Sequence, residues 1–417
     1  MLFILRRILK TLVTHGALTV ELPDGRLLTA GDGTGRHLRV RINDWRAVRA
    51  LILCPEMALG ELFTDGRLKA SEGSIYDVLA LLSLNLKDMT LPFIGRAHRG
   101  VRSIVGRFRS RNYEQLAKSN VHRHYDIDDR IYAMFLDSDR QYSCAYFENE
   151  RQTLEAAQLA KKRHIAAKLC VPYGASVLDI GSGWGGMALY LCRIDGADVT
   201  GLTLSSEQLK VSQERAEGDG LSSHVHFRLQ DYRTIQSRFD RIVSVGMFEH
   251  VGLRDYGTFF SVLKRSLKND GIALLHFIGR LDGKSPMNPW FLKYIFPGSY
   301  LPALSEVLPV IEKSGLIATD IEILRLHYAD TLAAWRRRFL SHRKDAAAIL
   351  GERFCRLWEF YLASAETGFR YGGLSVFQIQ IAQELATVPR TRTYIAAEEE
   401  RLRRLECAAA VRPLAAE

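Results

Sequence analysis

Val177-Leu178-Asp179-Ile180-Gly181-Ser182-Gly183-Trp184-Gly185-Gly186 is the stretch on which the reading of this chain turns. A short apolar strand runs into a glycine-dense turn that opens a helix. Glycines permit the sharp reversal and let a ligand approach the main chain. Around it, from about residue 150 to 280, short apolar runs alternate with helical patterns. The strand candidates are Ser176–Ile180, Asp198–Leu202, Val225–Leu229, Arg241–Val245 and Gly271–His276. This alternation marks an α/β fold with a doubly wound, mostly parallel sheet.

Two ligands compete for the turn. Gly181-x-Gly183-x-x-Gly186 satisfies the dinucleotide fingerprint. A dinucleotide, however, calls for an acid at the end of the second strand, and that strand ends Gly201-Leu202-Thr203-Leu204-Ser205. S-adenosylmethionine fits better. Asp179, ahead of the glycines, can meet the ammonium of its methionine part. Asp231, after the third strand, can meet the adenine amine, and Tyr232 can flank the ring. A strand-end cap and a turn residue are the plain alternatives for the two aspartates, but they do not account for the ordered set.

The chain has 417 residues, enough for two or three domains, and 47% of them are apolar. Its net charge of +10 suits an anionic partner, either a nucleic acid or an anionic membrane surface. Cys54, Cys144, Cys170, Cys192, Cys355 and Cys407 form no close pair or Cys/His cluster, so neither a disulfide framework nor a metal site is expected. Scattered thiols fit a reducing cytoplasm. The opening MLFILRRILKTLVTHG is broken by Arg6, Arg7 and Lys10 and reads as an amphipathic helix rather than a signal peptide. Leu5, Ile8, Leu9 and Leu12 share one side, for docking on their own domain or contact with a membrane surface. No run approaches the ~20 apolar residues of a membrane span.

Residues 1–95 read as a small α+β domain, with alternating strands at Leu18–Leu22 and Leu38–Ile42 and helices near 44–52 and 74–87. A basic linker follows at 96–114, where Arg102, Arg107 and Arg109 are candidates for phospholipid headgroup contact or for a solvated face. Residues 115–388 form the Rossmann-like domain, and 389–417 a charged tail or exposed helix.

Further motifs sharpen the picture: His124-Tyr125-Asp126; Gln141-Tyr142-Ser143-Cys144-Ala145-Tyr146-Phe147; Gly201 to Gln208; Gln230-Asp231-Tyr232-Arg233; Gly246-Met247-Phe248-Glu249-His250-Val251-Gly252; Ile295-Phe296-Pro297-Gly298; and His327-Tyr328. In this order, over about 115–385, the sequence resembles the cyclopropane-fatty-acyl-phospholipid synthase family, which includes the mycolic acid cyclopropane synthases. The resemblance implies a class I S-adenosylmethionine-dependent methyltransferase. In that family a cis double bond of a phospholipid acyl chain attacks the sulfonium methyl, a carbocation forms, and loss of a proton to bound bicarbonate closes the ring.

The resemblance assigns the ion site to Cys144, Glu249, His276, Tyr328 and the main chain of Ile278. It places Tyr142, Ser143, Asp179, Gly181, Ser182, Gly183, Gly185, Thr203, Leu204, Gln208, Asp231 and Tyr232 around S-adenosylmethionine. Thiol, imidazole, hydroxyl and backbone N–H can each donate to an oxyanion; ionised Glu249 cannot. Tyr142, Tyr146 and Trp290 are candidate rings facing the cation, with packing as the plain alternative for the last two. The chain departs from the family at Ser182 and Ala365, where relatives commonly carry cysteine, so covalent catalysis through position 365 is impossible.

The resemblance further implies action on unsaturated phospholipid acyl chains at a membrane surface, peripheral association with the cytoplasmic side of the inner face, and a homodimer through the N-terminal domain. Rival readings are a related enzyme that leaves a methyl branch, a catalytically silent lipid-binding protein, and a nucleic-acid methyltransferase. The last lacks an Asn-Pro-Pro-Tyr-type motif or a base-flipping signature, so no nucleic-acid partner is expected.

Overall fold

The structure is a computed structural model and describes residues 1–87 and 128–411, the side chains of 87 and 409–411 excepted. The basic linker at 96–114 and the His124-Tyr125-Asp126 motif lie outside the described residues.

The N-terminal unit runs α1 (Leu2–Leu12), β1 (Ala17–Glu21), β2 (Leu27–Ala30), β3 (His37–Ile42), α2 (Trp45–Leu53), α3 (Pro55–Thr64), β4 (Leu68–Glu72) and α4 (Ile75–Lys87). Its sheet order is β2-β1-β3-β4. Local signals explain its elements. Pro23-Asp24-Gly25 turns the chain between β1 and β2, and the Asp44 carboxylate caps α2 by accepting the Ala47 N–H at 2.9 Å. Helix α1 docks on its own domain through buried Leu5 and half-buried Leu2, Leu9 and Leu12, leaving Phe3 and Ile4 exposed beside Arg6 and Arg7.

The second unit runs α5 (Asp129–Phe135), α6 (Leu154–Leu169), β5 (Ser176–Ile180), α7 (Gly186–Asp195), β6 (Asp198–Thr203), α8 (Ser206–Gly218), β7 (Val225–Leu229), β8 (Phe239–Val245), α9 (Tyr256–Ser266), β9 (Leu267–Arg280), α10 (Pro289–Tyr294), α11 (Leu304–Lys313), β10 (Ile317–Ile323), α12 (His327–Ser341), α13 (Arg343–Tyr371), β11 (Leu374–Ala382) and α14 (Thr393–Val411). The seven strands are ordered β10-β11-β9-β8-β5-β6-β7, and β11 alone runs against the others. Strand order reverses between β5 and β8, which opens a crevice at their carboxyl ends. The strands are apolar on both faces because helices cover both: Val177, Val199 and Leu274 join one buried cluster, and Leu178, Leu202 and Leu275 another.

The two units share one continuous core, which includes Leu62, Val78, Trp290 and Phe360. Gly60 lets α3 approach closely: a Cβ there would sit 2.4 Å from Trp290 Nε1. Glu61 binds Lys293 at 2.6 Å and the Tyr294 hydroxyl at 2.7 Å, and Arg356 donates to the Thr64 carbonyl at 2.8 Å.

The stretch from Arg390, expected as a charged tail or exposed helix, contains α14, which is docked. Its Ile395 and Leu402 are buried, Glu399 binds His164 Nδ1 at 2.6 Å, and Glu406 pairs with Arg163 at 2.8 Å. Among the described residues no helix is long and apolar enough to cross a membrane.

Candidate active site

Two cavities meet at the carboxyl edge of the sheet. The first, about 170 Å³, lies over the β5 turn. The backbone amides of Gly181 and Ser182 both donate to the Leu202 carbonyl, at 2.9 and 2.8 Å, which locks the turn onto β6. Gly181 has φ +86°, and a Cβ there would lie 2.8 Å from the Met247 Cβ. Gly181, Ser182, Gly183 and Asp179 all line this cavity, as do Tyr142, Ser143, Thr203, Leu204, Gln208, Asp231 and Tyr232. Gly185 does not; it lets α7 close onto β7, since a Cβ there would sit 2.6 Å from the Phe227 ring.

Hydrogen bonds set the wall. Thr203 Oγ1 donates to Gln208 Oε1 at 3.0 Å, and Ser205 caps α8 by accepting the Gln208 N–H at 3.3 Å. Asp231 Oδ1 accepts both the Arg233 N–H and Nε–H at 2.9 Å, and its Oδ2 accepts Nη2 at 2.7 Å. The carboxylate is thus fixed in direction while keeping further acceptor capacity. Asp179 is buried, its Oδ2 has no hydrogen bond, and burial raises its carboxyl to about 7.

The second cavity, about 350 Å³, is walled largely by apolar side chains, among them Phe291, Phe296, Leu332, Phe369 and Val376. Pro55, Leu59 and Leu79 of the N-terminal unit close part of it. Tyr142, Ser143, Gly246 and His250 line both cavities, so the two spaces adjoin there. Cys144, Glu249, His276, Ile278 and Tyr328, from four separate segments, all line the second.

Their chemistry is specific. Glu249 Oε1 accepts the Ile278 N–H at 2.7 Å, while Oε2 is buried without a hydrogen bond, and burial lifts the carboxyl to about 7. The Ile278 amide, expected to face an anion, is therefore engaged by Glu249. His276 accepts at Nδ1 from the Gln378 side-chain amide at 3.2 Å, which puts its proton on Nε2, a buried atom with no partner. Burial and nearby cations hold the imidazole well below its usual range, so it stays neutral. The Cys144 thiol donates to the Ala145 carbonyl at 3.2 Å, and burial pushes its ionisation far up, so it is a neutral thiol here. Tyr328 packs edge-on to Trp335 and against Phe369.

Of the three candidate rings, only Tyr142 lines the cavities, with its hydroxyl 2.8 Å from that of Tyr361. Tyr146 is stacked between His164 and His327, and Trp290 is buried against Phe360 and Gly60. Both are packing residues, because the α6 and α3 faces cover them. Two site residues escaped the sequence reading. Gln378 had a signal, a polar residue inside the apolar run Val376–Ile381. Lys161 had none, since a helix reading Lys-Lys-Arg-His looks like a solvated face.

The chain is similar to known proteins of one family. The profile of the mycolic acid cyclopropane synthetase family matches residues 113–379. The chain is 42% identical over 256 residues to the cyclopropane-fatty-acyl-phospholipid synthase of Escherichia coli, covering 61% of this chain and 65% of that protein. It thus spans somewhat less than two thirds of that relative's length. It is 32% identical to the tuberculostearic acid methyltransferase of Mycobacterium tuberculosis, over 91% of both chains. A solved mycolic acid cyclopropane synthase complexed with S-adenosylhomocysteine and CTAB superposes with a TM-score of 0.61 at 33% identity, covering 63% of this chain and 97% of that one.

Proposed function

The chain belongs to the mycolic acid cyclopropane synthetase family, and on that premise we propose that it methylates the cis double bond of unsaturated phospholipid acyl chains from S-adenosylmethionine and closes a cyclopropane ring. The observation that carries the reading is the junction of the two cavities: a polar one floored by the glycine turn opens beside an apolar one of about 350 Å³.

S-adenosylmethionine supplies an electrophilic methyl group, and bicarbonate, when bound, a base of small size. The chain's residues fit both. In the apolar cavity the His276 Nε2–H is an unpaired buried donor and Glu249 Oε2 an unpaired buried acceptor, an arrangement that suits a protonated oxyanion. His276 and Tyr328 would hold it, joined by Cys144 once its thiol turns from the Ala145 carbonyl, with Glu249 taking its proton; a carboxyl near 7 can do so at neutral pH. The aromatic wall excludes water from a developing carbocation, and the Tyr142 ring adds a face of negative potential.

Access from a membrane surface is part of the proposal. It is supported by the exposed Phe3 and Ile4 beside Arg6, Arg7 and Lys10 on α1 and by the net charge of +10. Pairing of two chains through the N-terminal unit belongs to the same proposal.

Incubation with S-adenosylmethionine and dioleoyl phospholipid vesicles, with and without bicarbonate, tests it. The expected product gains one CH₂, carries no double bond, and forms slowly when bicarbonate is withheld. Unmethylated lipid would leave only a lipid-binding role. A second reading, a methyl-branched product, has its own support in the full-length likeness to the tuberculostearic acid methyltransferase. A product lacking the ring would favour it. Replacing Gly181 with Ala is expected to weaken S-adenosylhomocysteine binding about tenfold by calorimetry, because the free turn relaxes away from the left-handed conformation and binding must restore it. Unaltered affinity would mean that the turn accepts a Cβ.

A further inference from the structure

Helix α6 carries five basic side chains that are buried: Lys161, Lys162, Arg163, His164 and Lys168. Four of them are neutralised. Lys162 pairs with Asp139, Arg163 with Glu406, His164 with Glu322 and Glu399, and Lys168 with Glu322. Lys161 differs. It is 0% exposed, yet it makes no ion pair within 4 Å among the described residues. Its Nζ donates to Gln141 Oε1 at 2.6 Å and to Ser143 Oγ at 2.8 Å. An ammonium has three protons, so one is left for something else.

The position of that ammonium gives the third proton a direction. Lys161, Gln141 and Ser143 all line the cavity over the glycine turn, as does Asp179, whose Oδ2 is the other buried charged atom there without a partner. The wall therefore presents one cationic and one anionic group, both desolvated and, among the described residues, without an ion pair within 4 Å; the charges of Asp137 and Asp139 act on Lys161, and that of Lys161 on Asp179, only from farther off. Burial draws Lys161 down to about 8 and Asp179 up to about 7, so a ligand of complementary charge relieves both. An α-amino acid zwitterion has that complement, and the methyl donor ends in one.

Resting on the reading above, we propose that Lys161, with Ser143 beside it, binds the α-carboxylate of the methyl donor's methionine part, opposite Asp179 at the ammonium. Lys161 is in this sense a binding residue.

Calorimetric titration of the full chain with S-adenosylhomocysteine and with its decarboxylated analogue, S-adenosyl-3-thiopropylamine, tests the contact. The unsubstituted chain is expected to prefer S-adenosylhomocysteine by at least ~30-fold, and Lys161→Met to lose that preference, as when one partner of a buried charge pair is truncated. The analogue should bind the variant and the parent alike. Ligand-free thermal unfolding checks folding; a cooperative transition in the variant shows that it folds, whatever the two lost hydrogen bonds to Gln141 and Ser143 cost. Equal affinity of the two ligands for the unsubstituted chain overturns the proposal without help from any variant. Equal weakening of both ligands by Lys161→Met also overturns it, as a merely structural role would give. Failure of both ligands to bind the unsubstituted chain overturns this inference together with the proposed function; the preceding outcomes overturn this inference alone.

Discussion

Glu249→Gln is expected to lower product formation roughly 10²–10⁴-fold, the usual contribution of a positioned proton acceptor, while leaving S-adenosylhomocysteine affinity unchanged. Glutamine is nearly isosteric, and its Oε1 still accepts the Ile278 N–H that now meets the carboxylate at 2.7 Å. Only the second oxygen changes, from an acceptor that can be protonated to an amide that cannot. Glu249 lines the apolar cavity and not the one over the glycine turn, so donor binding has no reason to move.

A stability effect of opposite sign accompanies the loss. The folded-state value is raised from 4.5 to about 7. Between those values the folded chain keeps a proton that the unfolded chain releases, so this group's contribution to stability falls as pH rises through the window. Glutamine has no such dependence. The melting temperature of the variant relative to the parent should therefore rise between pH 5 and pH 8, by the equivalent of at most about 3 kcal/mol. Undiminished turnover in Glu249→Gln would remove this residue from the chemistry.

Ala365→Phe is expected to cut turnover of oleoyl lipids at least ~100-fold, again with unaltered donor affinity, since misplacing the reacting carbon by an ångström costs about that much. Ala365 is buried on α13 and lines the apolar cavity with Tyr361 and Phe369. A phenyl group projecting from that position takes up room an acyl chain needs. A substrate with a shorter acyl chain should recover part of the rate, which a general folding defect would not allow. Ala365→Cys, which restores the residue common among relatives, should change little, because the proposed proton acceptor lies at Glu249. Full activity of Ala365→Phe on long chains would mean that the substrate lies elsewhere.

The turn at 181–186 and five of the six parallel strands were legible because their information is local. Glycine spacing, strand-length apolar runs and the intervening helical patterns lie within a few residues of one another, and Ser176–Ile180 and Val225–Leu229 match the structure residue for residue. The motif residues were legible one by one for the same reason, through the resemblance they carry.

What the sequence could not settle were the relations between distant segments. Strands β10 and β11 were not foreseen; β11 follows the long α13 and inserts between β10 and β9, where it brings Gln378 against His276, 102 residues away in the chain. Lys161 reads as one of a run of solvated charges until α14 and β10 neutralise its neighbours and leave it facing the cofactor cavity. Trp290 and Tyr146, equally aromatic on paper, are taken out of the site by packing partners from distant segments. Composition and spacing thus determined an α/β sheet with an S-adenosylmethionine-type turn. Only the tertiary structure decided which polar atoms remain buried and unpaired, because the cost of burying a charge depends on what the rest of the chain places around it.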